Sequence, residues 1–339
     1  MTTVAVPPGR SDVARLADPP PPPRRLVRRL LRPVVLLLVN LVLLSALVFF
    51  GAEVLPGNIG RLLLGRTADQ QSVDVLNREL GADRPLVERY LSFMGDLLQG
   101  DLGTSLALRQ PNSELLGAAL LNSLKLAALA FAIVVPLALV GGVVAALRRD
   151  TWVDRTIIGV GVALTVLPEF VTGLIAILVL SLGLKLFPVT ATPPPGSGAL
   201  TQIYYLVMPA IPLVVVLFGY LAKLARAGTV TALDSDYHRT AVLKGLPGRV
   251  VVSRHVLRNA LLPTISVLGT QAGYLIGGLV VVEILFNYRG VGSLIFTAAQ
   301  AKDIPLLEVG VLTVGVAYML LTALSDVVAG LLDPRVRVR

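Results

Sequence analysis

With 55% hydrophobic residues, a mean hydropathy of +0.78 and only 15% charged residues, this 339-residue chain is an integral membrane protein, because soluble domains carry about 25% charge. It has no cysteine, which excludes disulfides, thiolate metal sites and a cysteine nucleophile, and its two histidines, His238 and His255, share one basic loop and make no metal cluster by themselves. A net charge of +9 would suit nucleic acid, but its placement along the chain decides otherwise.

Residues 1–24 include the run PPPPP at 19–23 and little that could pack. Such a segment buries too little apolar surface to offset its ordering entropy, and a disordered cytoplasmic tail is expected. Arg24, Arg25, Arg28, Arg29 and Arg32 precede an apolar run from Pro33 to Ala52. A signal peptide has the same order of features. Twenty residues is long for a signal core, however, and right for about 30 Å of hydrocarbon, so a first transmembrane helix is predicted. Residues 53–118 are mixed and polar. Within RPLVERYLSFMGDLLQGDLG at 84–103, Leu86, Tyr90, Phe93, Met94, Leu97 and Leu98 recur at helical spacing. That stripe reads as a short helix against the membrane or the bundle, as core rather than a cofactor box. Residues 25–118 thus form the first transmembrane helix plus an extracytoplasmic amphipathic segment.

Five further spans are predicted at Leu121–Leu147, Thr156–Leu182, Tyr204–Ala222, Leu261–Leu285 and Leu306–Leu332, within a core domain over 119–335. The fold class is therefore all-α, with six transmembrane helices and both termini on one side. Segments 1–32, 148–155, 223–258 and 333–339 hold 20 of the 30 Lys and Arg residues, and the opposite loops hold nine. Excess Lys and Arg marks cytoplasmic segments, which places both termini inside. The basic balance is topological, and nucleic acid is not an expected partner.

The longest basic stretch between apolar runs is Asp236–Pro263, overlapping a loop expected over 227–260. Residues 236–243 are good helix formers, and Asp234, Ser235 or Asp236 could supply the N-cap. Gly245 follows where a left-handed residue ends a helix. A capped helix, a glycine turn and a second basic helix would make a docking lever; a solvated connecting loop would show the same pattern.

No G-x-x-x-x-G-K-[ST] loop, H-E-x-x-H motif or G-x-S-x-G elbow occurs, so an enzyme reading has no support. Polar residues inside the spans remain. Glu169 lies in the third span beside Pro168, which removes a backbone bond and is expected to kink that helix. It is either a pathway residue pairing with a substrate amine or a carboxyl satisfied by a neighbouring helix. Ser266, Thr270 and Tyr274 are spaced by four, with Gln271 adjacent. They either line a cavity or tie helices together.

Several runs share one resemblance: LPGN at 55–58, GDLGTS at 100–105, YHRTAVLKGL at 237–246, RHVLRNALLP at 254–263, GYLIGGLVVVEILFNYRGVG at 273–292 and LSDVVAGLLDPRVR at 324–337. In this order the chain resembles the B-type membrane subunit of the dipeptide/oligopeptide/nickel permease family of binding-protein-dependent ABC importers. The resemblance implies the transmembrane domain of a type I ABC importer in the bacterial plasma membrane. It implies that Tyr237, His238, Arg239, Thr240, Ala241, Lys244, Gly245 and Leu246 dock a separate ATPase subunit. Arg239, Thr240 and Ala241 fall at the places of the family's Glu-Ala-Ala, and Gly245 is its glycine. Val242 and Leu243 depart from the small and basic residues usual there. Arg258 replaces a proline, and Glu169 stands where serine is more common. Implied partners are a C-type permease, two ATPase subunits carrying ATP and Mg, an extracytoplasmic substrate-binding protein and lipid; the chain itself would bind no cofactor. Glu169, Ser266, Thr270, Gln271 and Tyr274 are candidates for the path. Import of nickel chelates by the same machinery, an ion-coupled secondary transporter and a membrane scaffold are the competing readings. No inverted repeat supports the secondary transporter.

Overall fold

The computed structural model describes residues 23–53, 59–65, 67–79, 81 and 83–332. The sequence expectations for the tail through Pro22, for LPGN at 55–58 and for the end of the chain from Asp333 fall outside these residues.

Every regular element among the described residues is helical, and the only strand-like pairing among them is one antiparallel bridge between Thr104 and Pro111. In chain order the helices are α1 (Pro23–Glu53), α2 (Ile59–Leu64), α3 (Gln70–Glu79), α4 (Leu86–Leu98), α5 (Asn112–Leu147) and α6 (Trp152–Thr165). Next come α7 (Glu169–Ala176), which continues as a π-helical turn through Gly183, α8 (Ala199–Leu233) and α9 (Asp236–Leu243). A single turn, α10 (Gly248–Val250), leads through a π-helical stretch (Val251–Val256) to α11 (Leu257–Ala260). The chain closes with α12 (Leu262–Leu285), α13 (Val291–Ala301) and α14 (Ile304–Leu332).

The chain divides into two compact units at Leu43/Leu44, inside α1. In the first unit Val35, Leu36, Leu38, Val39 and Leu43 are all exposed, as an apolar helix facing lipid requires. The second unit holds the bundle. Among the described residues five helices are each long and apolar enough to cross a bilayer: α5, α8, and the segments Val35–Ala52, Pro263–Leu285 and Ile304–Ser325 of α1, α12 and α14. The α6 and α7 pair passes the same test jointly and, counted as one broken span, brings the number to six.

The break is much larger than the kink expected at Pro168 within a single span from Thr156 to Leu182. The chain bends by 110° between α6 and α7. Pro168 lacks an N–H and pushes Leu167 away from helical backbone. Its own backbone is extended, at φ −57 and ψ 143, before the helix restarts at Glu169.

Tight helix contacts explain the composition of the bundle. Helices in lipid gain nothing from hiding apolar surface, so they associate by close packing over small residues. Along α5, Leu126, Ala130, Val134, Ala138 and Gly142 recur every four residues and are all buried. They face α8, the neighbour with which α5 packs most extensively. Leu213, Leu217 and Leu221 of α8 and Leu275, Leu279, Val282 and Phe286 from α12 and its C-terminal turn complete this core. Where α8 meets α6, a Cβ on Gly219 would drive into the carbonyl of Gly161. Gly219→Ala is therefore expected to force α8 from α6 and cost about 1–3 kcal/mol. A lower unfolding temperature of the purified protein in detergent checks this.

The predicted stripe on 84–103 is helical as α4, and it lies against the bundle. Phe93 and Leu97 pack on a second core made by Leu116, Ala119, Val291, Ala298, Leu306 and Val309. Tyr90 shares a hydrogen bond of 2.9 Å with Ser45 and stacks edge-on against Phe49 at 5.4 Å. Leu86 and Leu98, counted in the same stripe, are exposed.

Candidate functional site

Two regions carry the chain's unusual chemistry. The first is the lever. Helix α9 begins where expected, with Ser235 as N-cap in extended backbone. The expected capping bond is not made. Ser235 Oγ instead donates to the Ala232 carbonyl at 2.5 Å, because only two residues separate α8 from α9 and the hydroxyl closes the helix it leaves. Thr240 Oγ1 donates back to the Asp236 carbonyl at 2.9 Å. Past Lys244, Gly245 adopts φ +70, the left-handed conformation anticipated for it.

One side of α9 is fastened. Ala241 is buried, together with Ala232, Val251, Val256 and Ala260, in a small core joining α8, the π-helical stretch and α11. The close approach of α8 to α11 depends on Gly228, where any Cβ would strike the Ala260 carbonyl. The other side is open. Tyr237, Val242, Leu243 and Leu246 are exposed, Leu243 at 88%. Arg239, Thr240 and Lys244 are exposed beside them, and His238 is half-buried. Five of the eight predicted docking residues thus sit on α9 and Lys244, Gly245 and Leu246 on the turn after it, with Ala241 as the anchor rather than part of the open face.

The second region is a cleft of about 540 Å³ at the α6–α7 break. It is lined by residues 165–169 at the break, by Val216 of α8, by Gly273, Tyr274, Gly277, Gly278 and Val281 of α12, and by Tyr318 of α14. Of the predicted path residues, Glu169 and Tyr274 line this cleft. Thr270 and Gln271 lie on the preceding turn of α12, outside its lining; the side chain of Ser266 falls outside the described residues. Tyr318 was not anticipated; lying outside the polar stripe of α12, it gave no periodic signal.

Three further polar anchors were also missed. At the basic end of the bundle, Arg226 of α8 donates through Nε and an Nη to both oxygens of the buried Asp154 on α6, each at 2.5 Å. The Asp150 amide adds a third bond at 3.0 Å. At the far end of α12, Glu283 is fully buried. Its carboxylate accepts from Ser123 Oγ of α5 at 2.5 Å and from the Ser293 amide in the first turn of α13 at 3.0 Å. Ser123 Oγ in turn accepts the Val291 amide, and Tyr288 donates its hydroxyl to the Asn122 carbonyl. Burial, with the Glu283 charge second, pushes the Tyr288 phenol up to about 12, so it remains a donor. Finally, Asp303 accepts Ser105 Oγ at 2.5 Å and the Ala107 amide at 3.0 Å, and it caps α14 through the Leu306 amide. This bond anchors the GDLGTS turn. The cost of a carboxylate in an apolar run was a signal for Glu283, just as it was for Glu169.

Comparison with known proteins bears on what this arrangement serves. Residues 138–338 match the family described as binding-protein-dependent transport system inner membrane component, and residues 24–125 match the N-terminal region of such components. The chain belongs to this family. It is 32% identical over 299 residues to a glutathione transport system permease protein of Pectobacterium atrosepticum, covering 88% of this chain and 94% of the relative. It is 34% identical over 297 residues to a protein of Brucella abortus provisionally named a peptide transport system permease, with coverage of 88% and 95%. A glutathione permease of Escherichia coli K12 is 31% identical over 297 residues, covering 88% and 94%.

As a member of this family the chain is the membrane permease subunit of an ABC importer, a multi-pass protein of the bacterial inner membrane. Its helical bundle is a type I importer membrane domain. ATP hydrolysis belongs to separate subunits, and a substrate-binding protein is a further partner. The family works by binding-protein-dependent transport, which sets aside the ion-coupled and scaffold readings.

Proposed function

We propose that this permease subunit imports peptides, and that the loop at 227–260 within its core over 119–335 transmits the motion of an ATPase to the spans. The names of its relatives, glutathione and peptide permeases, support the substrate class. The Lys and Arg bias supports a cytoplasmic position for both termini and for the lever. The observation that carries the reading is the two-sided lever. Ala241 is locked into the bundle, while Leu243 is 88% exposed and Tyr237 and Leu246 are exposed beside it.

A protruding apolar helix flanked by Arg239 and Lys244 suits a cleft with an apolar floor and an acidic rim. Residues 236–246 dock there, on one of two ATPase subunits that hold ATP and Mg. One lever engages one such subunit, so a second, C-type permease supplies the other. Closure of the ATPases moves α9 as a rigid body with α8 and α11, and packed helices shift between discrete arrangements. Solute delivered by the binding protein passes the cleft at the α6–α7 break, along Glu169 and Tyr274, with Ser266, Thr270 and Gln271 on the approach.

Leu243→Asp tests the docking. A charge at the centre of an apolar contact is expected to cost about 2 kcal/mol or more. The ATPase subunit should then no longer co-purify with the permease, while Leu243→Met retains it. Undiminished co-purification with Leu243→Asp overturns the docking assignment.

A further inference from the structure

The cleft has one charged side chain among its lining residues, and it is negative. Glu169 is half-buried at the start of α7. Among the described residues no Lys, Arg or His pairs with its carboxylate, and no hydrogen-bond donor reaches it. The bundle elsewhere treats its carboxylates differently. Asp154 has a guanidinium, Glu283 a hydroxyl and an amide, and Asp303 a hydroxyl and two amides. Glu169, unlike these three, opens into space.

Its seat is also kept clear. A Cβ on Gly278 would stand 2.8 Å from Glu169 Oε1, so glycine is what allows the carboxylate to lie against α12. A Cβ on neighbouring Gly277 would meet nothing, which marks free volume. Tyr274 and Tyr318, 54% and 42% exposed, line the same cleft. A partly dehydrated carboxylate without a protein counter-charge is costly unless a cation comes to it. Aromatic rings add attraction for an ammonium or guanidinium group.

We propose that Glu169, with Tyr274 and Tyr318, forms a transient seat for the cationic amino group of the solute, making this cleft selective for ammonium-bearing substrates. The inference rests on reading the cleft as part of the path and adds the chemistry that the path accepts. The ammonium comes either from a peptide N-terminus or from a lysine side chain.

The chain's lack of cysteine allows a direct test in the assembled transporter. Gly277→Cys places a single thiol in the open part of the cleft. Its modification is timed with a trimethylammonium-bearing and a sulfonate-bearing methanethiosulfonate, each normalised to its reaction with a free thiol; the transporter without Gly277→Cys corrects for partner thiols. The normalised cation-to-anion ratio should be about tenfold, as a charge some 5 Å away in a watery cleft gives. It should fall toward unity when Glu169→Gln is added. Any effect of Glu169 on thiol ionisation cancels in that ratio. Uptake is then compared for an unblocked alanine peptide, its N-acetylated form and an N-acetylated lysine peptide, each corrected for affinity to the binding protein. Glu169→Gln should depress uptake of the ammonium-bearing peptides several-fold more than that of the one without an ammonium. Loss confined to the unblocked peptide assigns the N-terminal ammonium, and loss shared with the lysine peptide assigns any ammonium.

Thiol modification without charge preference, or equal loss for the peptide without an ammonium, overturns the selectivity and leaves the path standing. A thiol that reacts with neither reagent means that the cleft holds no water, and the path reading falls with the inference.

Discussion

Gly245→Val is expected to abolish coupled transport while the permease still inserts and assembles. Gly245 sits at φ +70, and a β-branched residue is strongly disfavoured there. Steric crowding is not the reason, since a Cβ at this position meets nothing within 4 Å. The penalty is conformational, and it has to be relieved by turning the chain at the point between α9 and α10. That separates Gly245→Val from Gly245→Asn, which enters left-handed backbone at little cost. Uptake and substrate-stimulated ATP hydrolysis in reconstituted complexes should therefore be lost with valine and largely retained with asparagine. Wild-type coupling in the valine variant would refute the role assigned to this turn.

Asp154→Ala is expected to cost about 3–5 kcal/mol, because it leaves the Arg226 guanidinium without its bidentate partner. The Asp154 side chain is 5% exposed and that of Arg226 27%, so water replaces little of what is lost. The neighbouring Arg149–Asp234 pair, at 3.4 Å between exposed side chains, is worth at most about 1 kcal/mol, and Asp234→Ala should be nearly silent. Exchanging both partners for apolar residues, as in Asp154→Leu with Arg226→Met, should restore most of the stability, since no orphaned charge remains. Thermal unfolding in detergent reports each case. A double variant no better than Asp154→Ala would show that the pair does more than neutralise itself.

Much of this was legible in the residues. Apolar run length located the spans, although α5 starts nine residues before the predicted Leu121 and α8 runs eleven residues beyond the predicted Ala222, and the helix–glycine pattern at 236–245 located the lever. The break in the third span was legible only in part. Pro168 announced a disturbance, but a bend of 110° depends on what the halves pack against, which periodicity does not encode. The cleft was half visible for the same reason. Glu169 and Tyr274 stood out as polar residues in apolar runs, whereas Tyr318 joins them only through the packing of α14 on α12. The Asp154–Arg226 pair joins residues 72 apart in sequence, each of which looked like an ordinary flank charge.

The hydrogen bonds around Glu283 fix one end of α12 to α5 and α13, while its other end follows directly from the lever. An oar pinned at the rowlock behaves this way: a small displacement of the blade becomes a rotation that fades toward the pin. Gly273 lies ten residues from Glu283, about 15 Å along the shaft. The cleft wall would therefore travel only part of the distance that the lever does. Such gearing trades amplitude for force at the place where the solute passes.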